Sequence, residues 1–238
     1  MENSWTRRDG GVLRQQTTPQ LAAQVLRSAI ISGELKPGDR ILEQKWSSQL
    51  GIGQPTLREA LSELEHQGLL RKQQQRGTYV TQLSPEDYQQ IQEVRIPLEA
   101  IAIGRAAERL TIEHERKLAE LVKKMRGTDA KDDVKHFHDC DVLFHRTIWE
   151  IAGNPYLAEM LETITFRLFV FSIVGRWPNK PGSAKERLAA VKQHENILRG
   201  LRTKDGVQAQ RIYQESTVNY WNKQYGLTLK AEHLSAKE

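Results

Sequence analysis

The chain has 238 residues, 38% of them apolar, and a formal net charge of +5, enough for one large domain or two modest ones. No run approaches the roughly 18 apolar residues of a membrane-spanning helix, and Trp5, Arg7 and Arg8 stand where a signal peptide would need an apolar stretch. The single cysteine, Cys140, excludes an internal disulfide framework and fits a reducing cytoplasm, while the mild excess of Lys and Arg suits a polyanionic partner.

In chain order, residues 1–16 are polar and aperiodic and read as a mobile tail. Thr18-Pro19 supplies a capping hydroxyl and an early-turn proline. Leu21, Val25, Leu26, Ala29 and Ile30 are expected to stripe one face of a helix that runs to Ile31 and ends at Gly33. A turn at Lys36-Pro37-Gly38-Asp39 leads into two short amphipathic segments joined by Gly51-Ile52-Gly53. The first carries Trp46 and Leu50. The second opens with Pro55, carries Leu57, Leu61 and Leu64 at helical spacing, and ends at Gly68. Strands are expected over 69–73 and 78–81, joined by the loop Gln74-Gln75-Arg76-Gly77. Helix, turn, helix and basic loop form an arrangement that places one helix end in a major groove and a wing on the flanking backbone.

Leu83-Ser84-Pro85 marks a boundary. Beyond it the patterning predicts helices over about 85–110, 112–126, 129–152, 155–174, 184–202 and 204–225, with Pro97 expected to kink or split the first. The fold class is therefore mainly α. It divides into a tail (1–16), a winged helix-turn-helix (17–82), an all-helical domain (83–226) and a C-terminal tail (227–238).

Ile30 to Arg40, Leu50 to Leu61, Leu64 to Leu70 and Arg76 to Val80 together resemble the winged helix-turn-helix of the GntR family of bacterial transcription regulators. Arg95, Leu98 and Glu99, the run Asp141 to Ile148, Ala152 to Leu157 and His194 to Leu198 resemble the FCD domain of that family's FadR-type branch. The resemblance assigns ligand binding and dimerisation to the all-helical domain (83–226). It implies a cytoplasmic homodimer that binds double-stranded operator DNA, as a repressor of a catabolic or transport operon, under control of a small organic acid.

Helix-turn-helix geometry puts Gln54, Thr56 and Arg58 at base edges, and Arg76 and Gly77 at the groove or backbone. The resemblance adds Gln44 as a phosphate contact. Arg58 could instead pair with Glu59 or Glu63. Family members commonly carry Arg where this chain has Gln54, and Thr-Pro where it has Pro55-Thr56, which implies a different operator half-site.

Asp141 and His145, four residues apart, share a helix face; a local ion pair is the plainer reading of that spacing. The resemblance adds His194 and implies a divalent metal of the Zn or Ni type, held by one carboxylate and three imidazoles. The third imidazole position falls on Ser216, leaving Asp141, His145 and His194 either as a three-ligand metal site completed by water or an effector, or equally as a polar pocket floor without metal; these three and Ser216 are also the expected effector-binding positions. His138 is one turn before Asp141. Arg95 is the expected anchor for an effector carboxylate, the alternative being a surface pair with Glu93 or Glu99. Arg146, Arg167, Tyr213, Asn219 and Tyr220 are lesser pocket candidates.

No G-x-S-x-G, phosphate loop or H-E-x-x-H is present, and Asp139 and Asp141 flanking Cys140 are wrong for a nucleophilic thiol. The chain is thus expected not to be an enzyme. The remaining readings are a regulator without a small-molecule effector, a weak and sequence-indifferent DNA binder, and, remotely, a metal-dependent hydrolase on Asp141, His145 and His194.

Overall fold

The computed structural model describes residues 17–127, 134–174 and 184–231. The expected tail 1–16 lies outside them. The N-terminal unit holds α1 (Thr18–Ile31), β1 (Arg40–Ile41), α2 (Glu43–Leu50), α3 (Gln54–His66), β2 (Leu70–Gln73) and β3 (Gly77–Val80). The helical unit holds α4 (Pro85–Glu108), α5 (Ile112–Gly127), α6 (Val134–Ala152), α7 (Pro155–Val174), α8 (Ala184–Leu201) and α9 (Gly206–Tyr225).

α1 begins one residue earlier than expected. Thr17 is the cap, and its side chain and that of Gln20 bond each other's backbone N–H, a reciprocal capping box that Thr18 has no partner to form. Its buried face is also rotated. Ala22, Ala23, Leu26, Ala29 and Ile30 are buried, whereas Leu21 and Val25 are 49% and 45% exposed. α1 packs on α3, and alanines on the contact face allow the close approach that leucine and valine would prevent.

α2 ends at Gly51 with φ +64°, and α3 at Gly68 with φ +72°. At the end of α3, Gly68 N–H donates to Glu65 O (2.8 Å) and Leu69 N–H to Leu64 O (2.9 Å). This pairing satisfies the last carbonyls while Leu64 and Leu69 bury together. The expected wing is present as β2 and β3, antiparallel with Leu70 opposite Val80 and Gln73 opposite Gly77. A third strand, β1, pairs antiparallel with β3, giving the order β1-β3-β2. At two residues it is too short to leave an alternating pattern.

α4 starts with a second capping box, Ser84 with Asp87. Pro97 does not split it: the helix is continuous over 85–108. Pro97 is exposed, while Arg95, Ile96, Glu99 and Ala100 around it are buried, so packing of the flanking turns outweighs the lost N–H bond. The alanine-rich face of α4 contacts α9, α6 and α7 at the centre of the bundle. Residues 227–231 are not a frayed tail. Leu227 and Leu229 are buried; the Asn222 side chain bonds both Leu229 O (3.0 Å) and Leu229 N–H (2.9 Å), and Thr228 N–H donates to Gln89. Two apolar residues two apart, with their backbone satisfied, fasten the strip to the bundle.

There are two cores. The larger fills the bundle around Ile103, Phe144, Leu161 and Tyr213. The smaller fills the winged unit around Leu26, Leu57, Leu64 and Leu70, and it includes Val170 of α7. The two units therefore share an element.

Candidate functional site

On the winged unit, the elbow at Gly51–Gly53 presents the first turn of α3 outward. Gln54, Pro55, Arg58 and Gln44 are exposed and Thr56 is half-buried, while Leu57, Ala60, Leu61 and Leu64 anchor the helix in the core and Glu63 pairs with Arg27 of α1 at 3.2 Å. Arg58 Nε donates to Glu43 Oε2 at 2.9 Å, across the elbow and not to Glu59 or Glu63. An exposed pair of this kind is worth ~0–1 kcal/mol, a small cost for a phosphate or guanine to displace. In the wing, Arg76 is exposed at the turn and Gly77 has φ +109°. A Cβ at Gly77 would lie 3.2 Å from Arg40 Nε. Arg40, exposed on β1, thus adds a cation beside the wing that the sequence reading missed, because the pairing of β1 with β3 was not legible.

In the helical unit, α6 and α8 bring Asp141, His145 and His194 together, with their ligand atoms all within 4.8 Å of one another. Asp141 Oδ1 is 2.7 Å from His194 Nε2 and 3.6 Å from His145 Nε2. Both imidazole Nδ1 atoms are already engaged: His194 Nδ1 with Ala190 O at 2.7 Å, His145 Nδ1 with Glu99 Oε1 at 2.6 Å. A carbonyl or an ionised carboxylate only accepts, so each Nδ1 carries a proton, and each Nε2 faces Asp141. His194 Nε2 and Asp141 Oδ1, 2.7 Å apart, are bridged by a proton, which makes His194 a donor to Asp141, or by a cation that takes that proton's place. This orientation of histidines through their second nitrogen is the arrangement of metal-ligating imidazoles. The donor set of one carboxylate and two imidazoles fits a zinc- or nickel-type ion with open positions.

Burial raises the Asp141 carboxyl, but the hydrogen bond from His194 and the charges of His194, His145 and His138 outweigh it and hold it well below its ordinary range. His138, also buried, is lowered by that burial and is not one of the converging ligands. Ser216 does not join them: its hydroxyl donates to Tyr213 O (3.2 Å) and lies 3.3 Å from the Gln193 amide.

Beneath His145 sits the residue whose role the sequence reading missed. Glu99, fully buried, accepts from Arg95 Nε (3.0 Å), His145 Nδ1 (2.6 Å), Trp149 Nε1 (3.0 Å) and Tyr213 OH (2.6 Å). Burial pushes its carboxyl up; Arg95, His145 and the hydrogen bonds from His145 and Tyr213 bring it far below the usual value. Burial and the adjacent Glu99 raise the Tyr213 hydroxyl, which keeps it a donor. The signal was present, since Arg95 and Glu99 are four apart. What pattern could not show is that both charges lie inside the core. Arg95 is thus neither a surface residue nor an unencumbered pocket anchor; it is buried against Glu99, with Nη2 3.5 Å from His145 Nε2.

The other candidates disperse. Arg146 pairs with Glu162 of α7, Tyr213 is core, Asn219 is exposed, and Tyr220 stacks edge-on against Trp221. Arg167 faces the winged unit, where it occupies the space above Gly68.

Residues 90–217, over half of the chain, match the family model of the FCD domain, and residues 19–80 match that of bacterial regulatory proteins of the gntR family. The chain belongs to the GntR family, in its FCD-bearing branch. Among curated relatives, this GntR chain is 31% identical over 145 residues to the uncharacterized HTH-type transcriptional regulator YdhC of Bacillus subtilis, covering 58% of this chain and 62% of that one. It is 29% identical over 143 residues to the HTH-type transcriptional regulator McbR of Escherichia coli, covering 60% and 65%. The matches thus span somewhat under two thirds of these two relatives. The gluconate operon transcriptional repressor of Bacillus licheniformis is 23% identical over 193 residues, 81% of this chain and 79% of that one. The solved structure of McbR shares the fold, with a TM-score of 0.66 at 23% identity over 88% of this chain and 99% of that one. The family and these relatives are regulators rather than enzymes, which removes the hydrolase reading. Among the described residues no helix is long and apolar enough to cross a membrane.

Proposed function

We propose that the chain is a cytoplasmic, homodimeric repressor whose operator binding is set by a divalent metal and a small organic acid in the helical unit. The DNA-reading half is supported by the family and by the exposed Gln54 and Arg58 and the half-buried Thr56 at the start of α3, with Gln44 in front and Arg76 and Gly77 in the wing. Arg58 supplies the fork for guanine or phosphate. Gln54 offers an amide, suited to adenine. A twofold dimer would read a palindrome with one α3 per half-site.

The observation that carries the regulatory half is the convergence of His145 Nε2 and His194 Nε2 on Asp141, with both Nδ1 atoms held from behind. These three residues would hold the metal, and the metal would supply a Lewis-acid position for a carboxylate-bearing ligand. Asp141 contributes charge, Glu99 fixes the tautomer and tilt of His145, and Arg95 stands beside His145 as a fixed cation for an anionic ligand. Such a ligand alters DNA binding only through different affinity for the two arrangements of the winged units. The repressor role is supported by the gluconate operon repressor among the relatives.

The test is selection of bound duplexes from a randomised pool, with and without a chelator. A palindromic consensus is expected, and Gln54→Arg is expected to change its half-site while Arg58→Ala loses it. Failure to enrich any sequence would overturn the DNA-reading assignment.

A further inference from the structure

α7 belongs to both units. Leu161 and Leu168 lie in the core of the bundle, whereas Val170, with no exposed surface, lies in the core of the winged unit, and Phe166 packs against that same core. Between them Arg167 runs to the C-terminal end of α3. The position that a Cβ on Gly68 would take is filled by Nε, Cζ and Nη2 of Arg167. Gly68 is therefore required twice, once for its φ of +72° and once for the space. The guanidinium lies in a cleft lined by Glu65, Gly68, Leu70, Arg71, Lys72 and Arg167 itself. A cation at a helix C-terminus is favoured by the carbonyls gathered there, and the Glu65 carboxylate lines the same cleft. On its other face α7 is tied to α6, one residue from His145, through Arg146 and Glu162.

We infer that Arg167 is a positioning residue for DNA recognition: seated over Gly68, it fixes the angle of α3, and so of the whole winged unit, against the helical unit. Phe166 and Val170 provide the apolar adhesion, which is non-directional and would tolerate sliding. The guanidinium in the glycine notch supplies the register. At the boundary, Leu83 packs against both cores and the exposed Arg71 pairs with Asp87 at 3.4 Å; the seam with α7 adds the more distant contact that, with these, sets where the two α3 helices of a dimer stand. This inference concerns the seam alone and does not depend on the metal reading.

The experiment is hydrogen–deuterium exchange by mass spectrometry on the full chain, comparing the native protein with Arg167→Ala, Gly68→Ala and the double variant. Peptides covering residues 63–73 and 163–170 are expected to exchange roughly tenfold faster in both single variants, because one removes the guanidinium and the other displaces it. The double variant is expected to go no further than the singles at 163–170, since the same contact cannot be lost twice. Residues 22–30 in the winged core and 100–107 in α4 should keep native exchange. Native exchange at the seam in Arg167→Ala would overturn the inference. So would equal loosening at 22–30, which would make Arg167 a stabiliser of the fold and not a positioner. Additive effects in the double variant at 163–170 would show that Gly68 and Arg167 do not act through one contact, and would also overturn it.

Discussion

The two halves of the molecule handle charge in opposite ways. In the winged unit the long side chains assigned to DNA are exposed and lightly tied: Arg58 pairs with Glu43, and Gln54 and Arg76 face solvent. In the helical unit the working groups are buried and interlocked, with Glu99 serving four donors at once. A polyanion must be met by groups that can leave their partners cheaply. A small ligand or ion must be met by groups already oriented and dehydrated. Substitutions in the first unit should change recognition without changing the fold, and substitutions in the second should do both.

The sharpest break of this contrast is Glu99→Ala. It removes the acceptor shared by the Arg95 cation and three other buried donors, His145, Trp149 and Tyr213, and a broken buried ion pair costs about 3–5 kcal/mol. Urea unfolding should show that loss of stability. A loss below about 1 kcal/mol would mean the network relaxes to water and is not the interlocked unit described. His145→Ala and His194→Ala come next, each abolishing tight nickel binding by titration calorimetry. Arg58→Ala should weaken operator binding by about 1–3 kcal/mol, with its melting temperature unmoved. Asn222→Ala should cost about 1 kcal/mol through release of the Leu229 strip, detected as a lower melting temperature. The smallest effect is expected for Val25→Ser on the exposed side of α1, within about 0.5 kcal/mol; a larger loss would place that face in an interface.

The same contrast explains what could be read from the sequence. The winged unit is built from local signals: Gly51, Pro55 and Gly68 punctuate it, and leucines at helical spacing anchor α3. Its elements were therefore legible to within a residue or two, apart from β1, which exists only through pairing with β3. In the helical unit the element order was legible from its breaks. The rotation of each helix was not: α4 buries Gln92, Arg95 and Glu99 and exposes Val94 and Ile101, so its periodicity points nowhere. Hence Asp141 and His145 could be paired by spacing, but Glu99 could not be recognised as the residue that binds His145 to Arg95, Trp149 and Tyr213 across three helices. Pro97 misled for a related reason: local chemistry argues for a break, and packing of the turns on either side prevents one. Arg167 looked like a pocket residue because helix type was readable and helix facing was not.

The proposed regulatory site rests on two imidazoles and one carboxylate oriented for a cation. The direct measurement is metal content of the purified chain by mass spectrometry after loading with nickel or zinc and exhaustive buffer exchange, paired with melting curves before and after chelation. The account predicts one divalent ion per chain, a melting temperature that falls on chelation, and loss of both effects in His145→Ala and His194→Ala. A chain that retains no metal, or one whose melting is indifferent to both loading and chelation, would contradict it.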